Sequence, residues 1–77
     1  MYFHQTIFDY LEPTEHQKDL MTQVRRSVKT FADDLDRIVP EGTDKVHIVR
    51  SLRTLAMWAN VAITRHADGT PRTKDNP

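Results

Sequence analysis

Lys18, Arg25, Arg26 and Lys29 crowd into residues 18–29, and Tyr10 lies shortly before them. Cations and an aromatic ring are the side chains that hold a ligand carrying phosphates and bases. An arginine fork grips phosphate oxygens in pairs, and an aromatic face stacks a base. Each of these residues also has a plainer reading. An arginine at the edge of an apolar seam can snorkel to solvent, and Tyr10 can cap a hydrophobic surface. Chemistry beyond binding finds no residues to carry it. His4, His16, His47 and His66 show no metal-ligand spacing such as i, i+4. Ser27 and Ser51 have no evident base partner, and Asp33, Asp34 and Asp36 read as a solvated helix face. Gly42 and Gly69 are the only glycines, which excludes a glycine-rich phosphate loop. No catalytic residue, metal or cofactor is expected, and an enzyme is not.

The chain has 77 residues, room for one small domain. Lys plus Arg and Asp plus Glu are 11 each, and this neutrality argues against duplex-DNA binding, which needs a basic footprint. With no cysteine, neither disulfides nor thiolate metal sites are available. The opening "MYFHQTIFDYLEP" lacks the basic and continuous apolar regions of a signal peptide. The longest apolar run is too short to span a membrane. The chain therefore reads as soluble and intracellular.

Three segments follow from the pattern. Residues 1–13 hold Tyr2, Phe3, Phe8 and Tyr10 and read as a short aromatic arm, ended by Pro13. Residues 14–66 read as a helical hairpin. Thr14 and Gln17 form a capping-box signature. Met21, Val24, Val28, Phe31, Leu35 and Ile38 then alternate spacings of 3 and 4, a helical seam over residues 14–38. Pro40 and Gly42 stop this helix. Thr43 or Asp44 is expected to cap a second helix, whose seam is Val49, Leu52, Ala56, Ala59 and Ile63, ending near His66. The short loop "VPEGT" makes the two helices antiparallel neighbours. Residues 67–77 are polar and proline-flanked, and a flexible tail is expected there.

The stretch "LRTLAMWANVAITR" raises the problem of burial. At 100° per residue, Leu52, Ala56, Ala59 and Ile63 face the first helix. Met57 and Val61 fall on roughly the opposite side, and Trp58 lies on a flank. A helix apolar nearly all round must be covered nearly all round, and one partner covers one stripe. A chain this small, without disulfides or metal, has oligomerisation as its remaining common staple. Self-association is expected, with Met57, Trp58, Asn60 and Val61 at the interface. Trp58 is the expected anchor, and Asn60 fixes register by hydrogen bonding. On the first helix, Lys18, Arg25 and Lys29 share a face, with Arg25 beside the seam near Val28 and Arg26 pointing further towards water.

"FDYLEPT", "MTQVRRSVKTFA" and "LRTLAMWANVAITR" together resemble a known family, with "MWANVAITR" the most telling piece. It is that of small phage hairpin-domain proteins that sequester cyclic nucleotides, the anti-CBASS sponges and the related hairpin of a Thoeris anti-defence protein. The resemblance covers about residues 7–66. It implies an all-α fold, an antiparallel αα-hairpin assembled into a compact homohexamer. It implies binding of cyclic dinucleotides, and in some members cyclic trinucleotides, between protomers without cleavage. It implies that Tyr10 stacks on a base and that Arg25 grips a phosphate, with Arg26 in that role if the register slips by one. It implies a second, trinucleotide site carried by Arg65 and lined by Ser27 and Ile63. The expected function is a phage anti-defence protein acting in the cytoplasm of the infected bacterial host. The alternative from the residues alone is an oligomeric helical interaction module with no nucleotide ligand.

Overall fold

The computed structural model describes residues 5–77. Tyr2, Phe3 and His4 lie outside the described residues. The fold is all-helical. A single 3₁₀ turn, Gln5–Phe8, precedes helix α1, Glu15–Ile38, and helix α2, Thr43–Thr64. The two long helices pack as a hairpin, and no β-strand occurs among the described residues.

Helix α1 starts where its capping box requires. Gln17 N donates to Thr14 Oγ1 at 3.1 Å, and Thr14 N donates to Gln17 Oε1 at 3.0 Å. Two of the four amides that a helix start leaves unpaired are thereby satisfied, worth about 1 kcal/mol. Glu15 in the first turn and Arg37 in the last complement the helix dipole. At the far end Val39 N donates to Leu35 O, and Pro40 prevents continuation.

Helix α2 begins differently from expectation. Its cap is Gly42, not Thr43 or Asp44, and no side chain caps it. The tight link needs a backbone φ of 156° at this point, which glycine adopts and L side chains rarely do. A Cβ at Gly42 would meet nothing within 4 Å, so the requirement is one of backbone angle alone. Asp44 still offers a negative charge to the first turn.

Lys45 closes the link from inside. Only 9% exposed, it donates to the Asp36 carbonyl at 2.9 Å and pairs with Asp36 Oδ1 at 2.8 Å. The Glu41 carboxylate is its third partner. These hydrogen bonds and charges hold the ammonium above the ordinary lysine value. The sign of the linkage follows. Its contribution to stability is whole at neutral pH and is lost as pH rises through the raised value, above about 10.4. Melting temperature should therefore fall steeply over that alkaline range. Lys45→Met should melt several degrees lower at pH 7 and show a shallower alkaline slope, the remainder coming from Lys18 and Tyr10, whose values are also raised. Thermal melts followed by circular dichroism across pH check both.

The facing surfaces of the hairpin hold Leu20, Met21, Val24, Val28 and Leu35 against Ile48, Leu52, Ala56, Ala59 and Ile63, all partly buried. Gln17 Nε2 donates to Ile63 O at 3.3 Å and ties the open end. Phe31, Ile38 and Val49, expected in the seams, are instead exposed. Two helices cover only the narrow stripe between them, and these side chains stand on its rim. The result is unusual: no hydrophobic residue among those described is buried.

The segment after α2, read from composition as flexible, hooks back onto the helix end. Arg72 N donates to Thr64 O at 2.8 Å, and His66 N to Thr70 O at 2.8 Å. Arg65 and Pro71 form an isolated antiparallel bridge. The Arg72 side chain donates to Ala62 O at 2.8 Å and Arg65 O at 3.0 Å. A helix end leaves four carbonyls without partners, and the returning arginine supplies donors to them.

Candidate functional site

Tyr10 projects from the segment between the 3₁₀ turn and α1 and is 82% exposed. Its hydroxyl donates to Glu12 Oε2 at 2.9 Å. That hydrogen bond, together with the carboxylate's charge, holds the phenol above its ordinary value. Glu12 also faces Lys18 Nζ at 3.6 Å, and Lys18 pairs with Glu15 at 3.3 Å. Lys18 is thus engaged with two carboxylates, which also raise its pKa. The Tyr10 ring borders a shallow hollow of ≈ 300 Å³ with Leu11, Met21, Asn60, Val61 and Arg65.

Arg25 is exposed on α1 and donates to Thr22 Oγ1 at 3.0 Å. It does not line the hollow at Tyr10. Arg26 borders a different hollow, of ≈ 410 Å³, with Ser27, Thr30, Phe31 and Asp34. One copy of the chain therefore does not bring Tyr10 and either arginine into a common pocket.

Ser27 and Ile63 do meet. They line a groove of ≈ 510 Å³ between the helices, floored by Leu20, Val24, Val28, Leu55 and Ala59. Arg65 does not join them. Its guanidinium is turned to the other side, donating to Asp9 O and Gly69 O at 2.7 Å each. At 8% exposed it ties the Tyr10 segment and the tail to the end of α2.

The four residues expected at an interface divide in two. Met57, Trp58 and Val61 are exposed, Trp58 at 67%. Asn60 is partly buried, and its Oδ1 is inaccessible yet accepts no hydrogen bond. An unpaired buried acceptor costs about 1–3 kcal/mol, and because Oδ1 is already closed off within one copy it is not presented to a second.

Ser51 has a neighbour that was not foreseen. His47 Nε2 lies 3.5 Å from Ser51 Oγ. The hydroxyl donates its proton at 2.8 Å to the His47 carbonyl instead, so the pair is not arranged for nucleophilic attack. Among the described residues no group of three or more histidines and carboxylates could hold a metal ion. No described helix is long and apolar enough to cross a membrane.

Two residues with structural roles were missed from sequence. Lys45 carries no signal of charges paired on one helix, because Glu41 precedes the helix cap at Gly42 and Asp36 belongs to the preceding helix. Of the partners of Arg65, Gly69 is four residues on, but Asp9, at a separation of 56 residues, is too far away in sequence for any local signal. No family model matches the chain, and no curated protein or solved structure is significantly similar to it. What defines the molecule is its own geometry, a two-helix hairpin whose apolar surface is uncovered.

Proposed function

We propose that the chain self-associates and that the assembly, favoured as a hexamer, binds cyclic dinucleotides between subunits without cleaving them. The observation that carries this reading is the separation of two things. The hairpin buries no described hydrophobic residue, so it needs further copies. Its exposed Tyr10 ring and the exposed arginines of α1 share no hollow on one chain, and pairing with a second copy would bring them together. A two-fold interface suits a two-fold ligand, because each half of the ligand meets the same residues. Tyr10 stacks on the bases and Arg25, with Arg26 as the fallback, neutralises the phosphates. By resemblance, the groove holding Ser27 and Ile63 is the place for a cyclic trinucleotide, and Arg65 would have to leave Asp9 O and Gly69 O to join it. By resemblance, the biological role is to sequester the immune signals of an infected bacterium in its cytoplasm and keep them from CBASS-type effectors. To compete with such effectors the assembly must bind near nanomolar, about −12 kcal/mol.

Tyr10→Ala and Arg25→Ala should each weaken cyclic dinucleotide binding at least about tenfold in calorimetry, with the oligomer intact in sedimentation. Heating the loaded protein should return unmodified nucleotide to solution. Normal binding by both variants removes the site, and degraded nucleotide makes the protein an enzyme. A second reading is an oligomeric interaction module with no nucleotide ligand. It is favoured by the exposure of Phe31, Met57 and Trp58, more apolar surface than a nucleotide pocket uses. Failure of wild-type protein to deplete any cyclic nucleotide selects it.

A further inference from the structure

We infer that the outer face of α1 is a self-complementary interface, which pairs antiparallel with α1 of a second copy about a two-fold axis at Thr30. The inference rests on the self-association proposed above and not on any nucleotide.

Charge carries it. Helix α1 is split, with Arg25, Arg26 and Lys29 before Thr30 and Asp33, Asp34 and Asp36 after it. A two-fold axis reverses the direction of the second helix. Residues equally far on either side of Thr30 then face each other. Arg26 and Asp34 each stand four residues from Thr30. Two Arg26–Asp34 pairs would form, one at each side of the axis. A parallel pairing would instead set like charges together.

The same residues already share a surface. Arg26, Ser27, Thr30, Phe31 and Asp34 line a single hollow of ≈ 410 Å³. Arg26, Thr30 and Asp34 follow the i, i+4, i+8 row that forms a ridge for helix packing. Arg26 has no ion pair among the described residues, while Lys18 and Lys45 each have two and Arg37 has one. Phe31, 54% exposed and next to the axis, supplies the apolar centre. Asp34 is held by Arg37 of its own chain at 3.1 Å. The carboxylate is thereby fixed on the exposed face, and the incoming Arg26 completes an Arg–Asp–Arg cluster. Seven residues either side of the axis, Gln23 meets Arg37 in the same register.

Charge exchange tests this in the full chain. Arg26→Asp and Asp34→Arg each turn both pairs repulsive. Each should raise the dissociation constant at least about tenfold in sedimentation equilibrium at low salt, and less at about 1 M salt. Mixing the two variants restores opposite charges at both pairs, as does combining them in one chain. Both should recover wild-type association. Thr30→Cys, in a chain with no other cysteine, should crosslink to a dimer with a short bismaleimide, and it tests the contact with every charge in place. If wild type associates but neither single variant weakens it, or Thr30→Cys fails to crosslink, α1 is not the interface while self-association stands. A monomeric wild type overturns both.

Discussion

Trp58→Asp is expected to yield a chain that neither associates nor holds its helices at micromolar concentration. Trp58 is 67% exposed on one copy, and Leu55, Met57 and Val61 are exposed on the same helix. A tryptophan offers about 150–250 Å² for burial, or about 4–6 kcal/mol at about 25 cal/mol per Å². Nothing inside the hairpin substitutes for it, because no described hydrophobic residue is buried there. In wild type, folding and association are then linked, so melting temperature should rise by several degrees between about 5 and 500 μM protein. Trp58→Asp should abolish that dependence and lower the midpoint by more than about 10 °C. Trp58→Phe, which keeps the apolar contact, should retain most of both. Sedimentation with parallel melts is the check. A wild-type midpoint independent of concentration, on a well-folded monomer, would remove the premise of the proposed pockets.

Arg65→Met should destabilise the assembly by about 2–4 kcal/mol, or roughly 10–25 °C for a chain of this size. The guanidinium carries two charge-assisted hydrogen bonds of 2.7 Å, to Asp9 O and Gly69 O, in a setting only 8% exposed. Such bonds contribute about 1.5–3 kcal/mol each, net of exchange with water, and the freed carbonyls regain part of this by hydration. Removing the fork frees both carbonyls and releases the segment that carries Tyr10. Cyclic dinucleotide binding should therefore weaken as well, because the Tyr10 segment is no longer held in place. Arg65→Lys keeps the charge but reaches only one carbonyl, and should fall between wild type and Arg65→Met. The same variants separate this holding role from the trinucleotide role that the resemblance implies. A ligand role shows as lost trinucleotide binding at an unchanged midpoint, and a holding role moves the midpoint first.

Much of the hairpin is legible in its residues because its signals are local. The Thr14–Gln17 box and Pro40 mark the two ends of α1, and both act within one turn of helix. The start of α2 was read one residue late because side-chain oxygens at Thr43 and Asp44 outweighed the backbone angle at Gly42. A spacing of 3 and 4 places Phe31 and Ile38 on the seam side but says nothing of how wide a stripe one partner helix covers. The hook after Thr64 was hidden because polar composition does not reveal that Arg72 returns to carbonyls of the preceding helix. For the candidate site, the wheel puts Arg25 at the edge of the seam, but Tyr10 precedes the helix and reads equally as a cap over the apolar surface, so its exposure is not legible there. Nor is the separation of the two, since it depends on how the Tyr10 segment runs, and Arg65 fixes that from the far end of the chain.

The link between Ile38 and Thr43, closed by Gly42 and Lys45, bears on how quickly the chain acquires its shape. Its two long helices are consecutive in the chain and joined by a minimal turn. Little loop entropy is lost in bringing them together, and topologies this local form in microseconds to milliseconds. Intramolecular docking is then never the slow event. In the proposed assembly, encounter between copies would set the pace, and its maturation would be governed by how fast new chains accumulate.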